Sequence, residues 1–124
     1  MAVLLDTHIL LELLHAGGGA AAEWAEQPVF VSIASLWEIS IKVRQGKLAT
    51  GIPVAEIEES LEALGGAWLA ITGVQAVAEV SPWPDTNDPF DRLLLAVCQI
   101  EDLRLVTRDS KLLDHPLAWR PAAG

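Results

Sequence analysis

A three-layer α/β/α sandwich around a mainly parallel sheet is the fold class this sequence predicts, and three observations lead to it. Short continuous apolar runs, of the kind shown by strands buried on both faces, alternate along the chain with segments of helical periodicity. Gly, Pro and Asp mark most of the changes from one period to the other. Hydrophobic residues make up 52% of the 124 and charged ones 20%, which suits one domain with a sizeable core and excludes a disordered tail or linker.

The elements follow in order. Residues Ala2 to Leu5 are predicted to form the first strand, and Thr7 to Leu14 a helix carrying Ile9, Leu10, Leu13 and Leu14 on one side. Gly17-Gly18-Gly19 reads as a loop entering a helix over Ala20 to Glu26. Val29 to Val31 is the second strand, and Ser35 to Gln45 a helix ending at Gly46. Pro53 to Leu64 is amphipathic: Ile57, Leu61 and Leu64 form its core side, and Glu56, Glu58, Glu59 and Glu62 its solvated side, before Gly65-Gly66 closes it. Trp68 to Ile71 is a strand, Val74 to Val80 a short helix, and Ser81-Pro82-Trp83-Pro84 a loop. A long helix runs from Pro89 to about Ile100, a strand from Leu103 to Thr107, a helical turn from Ser110 to Leu113, and an edge strand from Leu117 to Trp119. Strands and helices alternating at this pace make a parallel sheet covered on both faces.

The single Cys98 excludes an intramolecular disulfide framework and a Cys-rich zinc site, so it is expected to pack in the core of a protein from a reducing compartment. Met1-Ala2-Val3-Leu4-Leu5 reaches Asp6 with no Lys or Arg before it, unlike a secretory signal, and no apolar run approaches the ~18 residues of a membrane helix. A cytoplasmic protein with no membrane partner is the expectation. With 17 Asp and Glu against 8 Lys and Arg, the net charge of −9 counts against a basic nucleic-acid-binding face. Clustered carboxylates, however, can cage a divalent cation that reverses the local sign.

Ligands of such sheets sit outside the carboxyl ends of the strands, where the strand order reverses. Four carboxylates are expected there. Asp6 directly follows the first strand and is also a fair N-cap for the helix from Thr7. Glu38 lies among apolar neighbours in the first turn of its predicted helix, one turn from Lys42, with which it could make a surface pair. Asp88 and Pro89 suit the N-cap and first position of the long helix. Asp91 shares a face with Leu94, Leu95 and Cys98, so it points inward and needs a partner. Asp109 follows the strand ending at Thr107, whose hydroxyl could bond a carboxylate or a ligand, and Asp109 could itself cap the turn from Ser110.

Four converging carboxylates repel unless cations neutralise them, and an oxygen-only ligand set suits Mg²⁺ or Mn²⁺ rather than zinc. Such ions orient a phosphodiester, acidify a water and stabilise the leaving oxygen. Lys42, Arg44, Lys47, Arg92 and Arg108 fall within a few residues of these carboxylates and could hold flanking phosphates.

Leu4-Leu5-Asp6-Thr7-His8, Ser35-Leu36-Trp37-Glu38-Ile39-Ser40-Ile41-Lys42, Asp88-Pro89-Phe90-Asp91-Arg92-Leu93-Leu94 and Leu105-Val106-Thr107-Arg108-Asp109 occur in the order and spacing of the PIN-domain ribonucleases. Over nearly its whole length the chain resembles the VapC toxins of type II toxin-antitoxin systems. That resemblance implies a single PIN domain over 1–124 and a Mg²⁺- or Mn²⁺-dependent endoribonuclease. It further implies a homodimer, inhibited by a cognate VapB-like antitoxin whose C-terminal segment enters the active-site groove. Asp6, Glu38, Asp91 and Asp109 match the family's acidic positions, while Asp88 is read as a cap. Similar toxins often carry a His where this chain has Thr86, a departure that bears on substrate contacts or loop structure rather than on metal ligands.

Two other functions are open: a catalytically inactive PIN-like module acting through protein contacts, and a phosphatase of the haloacid dehalogenase type. The latter wants a second Asp two residues after the first, where this chain has His8. His8, His15 and His115 read as surface or structural residues, and Trp37 and Trp68 fall in core-like patterns. Trp83, in its Pro-flanked loop, is the Trp most suited to binding.

Overall fold

The computed structural model describes residues 1–15 and 23–121. Strands β1 (Val3–Leu5), β2 (Val29–Ser32), β3 (Ala67–Leu69) and β4 (Arg104–Val106) form one all-parallel sheet in the order β3-β2-β1-β4. The helices are α1 (Thr7–His15), α2 (Ile33–Arg44), α3 (Ile57–Ala63), α4 (Gly73–Val77) and α5 (Pro89–Glu101). A sandwich of helices on both faces of a parallel sheet is therefore the architecture, as the alternation of periods predicts.

The pleat of β1 divides the core. Leu4 and Leu105 point to one face, where Leu94, Leu95, Val97 and Cys98 of α5 cover them. Val3, Leu5, Val31 and Val106 point to the other, against Ile9 and Leu10 of α1, Ile39 of α2, and Ile57 and Leu61 of α3. Cys98 is fully buried, and burial pushes its thiol up to about 12. It is a packing residue.

Several elements depart from the sequence reading for local reasons. The second helix begins at Ile33 rather than Ser35, because Ser32 is its N-cap and accepts the Ala34 N–H at 3.0 Å. Glu38 accordingly lies in the second turn of α2, not the first. Pro53 opens a 3₁₀ turn, Val54–Glu56, so the predicted amphipathic helix is α only over Ile57–Ala63. Leu64 is 41% exposed at the end of that helix and is not core. Thr72 closes a capping box with Gln75 that sets the start of α4, which ends at Val77, three residues short of the predicted end. The predicted helix Ala20–Glu26 is a 3₁₀ turn over Glu23–Glu26. Its first residues, like Gly17-Gly18-Gly19, lie outside the described residues. Leu117 to Trp119 makes a single parallel bridge, Ala118 to Leu105, on the free edge of β4.

With β2 and β3 on one side of β1 and β4 on the other, the strand order reverses between β1 and β4. The crevice at their carboxyl ends is where such folds bind ligands. Asp6 follows β1 there, and Thr107 follows β4.

Candidate active site

Asp6 is held at the crevice from three sides. Its N–H donates to Val106 O at 3.0 Å and its carbonyl accepts the first helical N–H of Leu10 at 2.9 Å, tying it to both β4 and α1. Its carboxylate is buried and accepts the Thr7 N–H at 2.6 Å on Oδ1 and the Thr107 hydroxyl at 2.7 Å on Oδ2. Thr107 Oγ1 in turn accepts the Asp109 N–H at 3.1 Å, so one hydroxyl connects the acid after β1 to the acid after β4. Asp109 Oδ1 accepts from Lys111 N at 2.9 Å, and its carbonyl takes the N–H groups of Leu112 and Leu113.

Glu38 reaches the same crevice from α2. It is buried, accepts the Thr7 hydroxyl at 2.7 Å on Oε1, and takes the Lys42 ammonium at 2.6 Å on Oε2. The predicted one-turn Glu38 to Lys42 pair thus exists, but its acid is buried rather than solvated. The hydrogen bond to Glu38 holds the Lys42 ammonium above its ordinary pKa, aided by Asp88 and Asp91.

Asp91 stands in the first turn of α5, which Asp88 caps through the Phe90 N–H at 2.8 Å and Pro89 opens. Thr86 Oγ1 donates to Asp91 Oδ2 at 3.3 Å and accepts the Asp88 N–H at 3.1 Å. Burial first, then the negative charges of Asp88, Asp6 and Asp109, push the Asp91 carboxyl up to about 6. Asp6 is raised as well, chiefly by burial and further by Glu38, against the lowering effect of its Thr107 and Thr7 hydrogen bonds.

Of the basic residues, Lys42 faces Glu38, Arg92 lies over Trp83 at 4.0 Å from Cζ to the ring centroid, and Arg108 pairs with Glu12 at 2.7 Å on the surface. Arg44 and Lys47 are exposed. His115 is buried and structural: its Nε2–H donates to Pro82 O at 2.8 Å while Nδ1 accepts the Leu117 N–H at 3.1 Å. His8 and His15 are exposed.

Sequence reasoning missed two hydroxyls and one ring. Thr7 and Thr86 hold Glu38 and Asp91 as Thr107 holds Asp6, and the signal was their position: each lies within a few residues of an acid at an element end. Trp37 is 60% exposed, not core, because α2 turns the side next to Glu38 outward, where the ring meets Phe90 edge-on.

Among the described residues, no three acidic, His or Cys side chains close around a single point. Mg²⁺ does not require it, since that ion keeps several waters and takes one or two carboxylates together with phosphate oxygens. The donor set is all oxygen and partly buried, which suits a hard divalent cation. Comparison with known proteins finds that the family model described as PIN domain matches residues 3–116. No curated protein and no solved structure matches the chain.

Proposed function

This chain belongs to the PIN domain family, whose members are generally metal-dependent nucleases, and we propose on that premise that it is a Mg²⁺- or Mn²⁺-dependent endoribonuclease. The observation that carries the reading is the gathering of acids at the switch point of the sheet: Thr7 links Asp6 to Glu38, Thr107 links Asp6 to Asp109, and burial with the charges of Asp88, Asp6 and Asp109 raises Asp91. A divalent cation held there would offset part of the acids' charge and would supply the polarisation that activates a water against a phosphodiester. Asp6 and Asp91 are the proposed principal ligands, with Glu38 and Asp109 completing the acidic set. Thr107 orients Asp6, Thr7 orients Glu38 and Thr86 orients Asp91, which is the outer support that metal ligands commonly have. Ser35 Oγ, buried and without a hydrogen-bond partner among the described residues, lies one turn before Glu38 on α2 and offers a further oxygen to a water beside that acid. Lys42 and Arg92 are proposed to meet the phosphates on either side of the cleaved bond.

The motifs shared with VapC toxins support a finer assignment: the toxin of a type II toxin-antitoxin pair, cytoplasmic, homodimeric, and inhibited by a VapB-like antitoxin. Val74 and Val77, 61% and 80% exposed on α4, offer an apolar face to such a second chain. Among the described residues no helix is long and apolar enough to cross a membrane. The reading is tested by cleavage of single-stranded and structured RNA in Mg²⁺ or Mn²⁺. Wild type cuts; Asp6→Ala and Asp91→Ala lose at least two orders of magnitude while melting cooperatively. Undiminished cleavage by both variants sinks it, and wild type that neither cuts RNA nor binds divalent ions by calorimetry favours the inactive protein-binding module instead.

A further inference from the structure

The first turn of α5 sets three side chains at successive ~100° steps around the helix: Phe90, Asp91 and Arg92. Asp91 is the acid of the crevice. On one side of it, Phe90 meets Trp37 with ring centroids 5.8 Å apart and planes at 66°, and Trp37 is also the residue before Glu38. On the other side, Arg92 lies over Trp83. Trp37 and Trp83 are 60% and 68% exposed, although such rings are usually withdrawn from water. Two open indole faces, each packed against a residue adjacent to Asp91, flank the acids. Trp37 also walls a groove of about 350 Å³ with Ile33, Leu36 and Ser40 of α2, Val54 and Ala55 of the 3₁₀ turn, and Glu58 of α3.

We propose that Trp37, braced by Phe90, and Trp83, braced by Arg92, are nucleobase-stacking platforms on the two sides of the acidic crevice, so that the chain selects single-stranded RNA with its bases unstacked around the cleaved phosphate. The inference deepens the nuclease reading and rests on it for the place of the phosphate. Nucleic acid is the occupant favoured because Arg92 places positive charge over the Trp83 ring, and a divalent cation held by the acids between the two rings would offset part of their charge toward a phosphate. A duplex cannot use the platforms, since its bases already stack on one another. Every base has a π-face, so the platforms confer preference for unpaired strands without reading sequence.

The test is binding, measured by anisotropy of a fluorescent single-stranded RNA in Ca²⁺, with the strand's integrity verified afterwards. Wild type binds this RNA about tenfold tighter than the same strand carrying abasic sites at its centre. In Trp37→Ala the two strands bind alike, and Trp37→Phe restores most of the difference; Trp83→Ala reduces it in part. The fold tolerates these changes because both rings are largely exposed, and the melting curve verifies that. Equal binding of intact and abasic RNA by wild type overturns the proposal, as does Trp37→Ala weakening both strands equally. A changed oligomeric state in Trp37→Ala by light scattering, with the abasic difference intact, assigns the ring to a second copy and also overturns it. Cleavage separates the two readings. Efficient cutting with no abasic difference removes the platforms alone, and Trp37-dependent binding with no cutting removes the nuclease alone.

Discussion

At the scale of single residues, three threonine hydroxyls decide how the acids face one another. Thr107 is the most connected, donating to Asp6 and accepting from the Asp109 N–H, so Thr107→Val leaves a buried carboxylate oxygen and a backbone N–H without partners. Metal affinity by calorimetry should fall about tenfold in that variant and return in Thr107→Ser, since supporting groups of this kind typically contribute 10- to 100-fold. An unchanged affinity in Thr107→Val would show that the hydroxyl does not position Asp6. Asp91 carries a prediction of opposite sense. Its folded pKa of about 6 exceeds the ordinary 3.8, so the unfolded chain gives up this proton first. Stability is therefore lost as pH rises from about 4 through about 6, and the cost is complete above that window. In chelator near neutral pH, Asp91→Asn should melt higher than wild type by about 4 °C, or roughly 1 kcal/mol once solvent screening of the half-buried group is discounted. The gap should close below pH ~4, where Asp91 is protonated in both states. An Asn variant less stable than wild type at every pH would mean that burial and the neighbouring acids do not disfavour the charged Asp91.

At the scale of elements, the sequence was legible wherever a side chain's own backbone decides its place. Asp88 and Pro89 open α5, Asp6 and Thr107 end strands, and the apolar runs became parallel strands, all through local geometry. The errors fall where a partner elsewhere in the chain decides. Trp37 looked like core because periodicity records which residues share a face but not what covers it, and Leu64 lost its cover when the helix ended one residue before it. The Thr7 to Glu38 bond joins residues 31 apart, and no local pattern announces it. Neighbouring glycines after α3 show both kinds of reason side by side. Gly65 has φ +90°, which L side chains rarely adopt, and needs no room. Gly66 needs room: a Cβ there would stand 2.6 Å from Leu61 Cδ1, and Leu61 is fully buried. Gly66→Ala should cost about 1–3 kcal/mol by denaturant unfolding through overpacking. Leu61→Ala in the same chain should relieve that clash, so that the double variant loses less stability than the sum of the two single ones. Strict additivity would place the strain elsewhere.

At the scale of the whole molecule, the net charge of −9 divides into two populations with different consequences. Glu58, Glu59 and Glu62 on α3 are exposed and solvated; Asp6 and Glu38 are buried, and half-buried Asp91 lies in the field of Asp88, Asp6 and Asp109. Only the second population gains by binding a cation, because only there does folding bring charges together that the unfolded chain keeps apart. Divalent ions should therefore stabilise the native state specifically: at tenfold excess over Kd the gain is ~1.4 kcal/mol, or about 5 °C in Tm. Two controls separate this from general screening. Sodium chloride at matched ionic strength should give a much smaller shift, since screening acts on both populations and Mg²⁺ on one. Lowering the pH to about 5 should shrink the Mg²⁺ shift, because Asp91 then holds its proton and competes with the ion. Asp6→Asn should abolish most of it. A Mg²⁺ shift equal to that of matched sodium, and indifferent to Asp6, would place the whole charge excess on the solvated surface and leave the crevice without a cation to offset its acids.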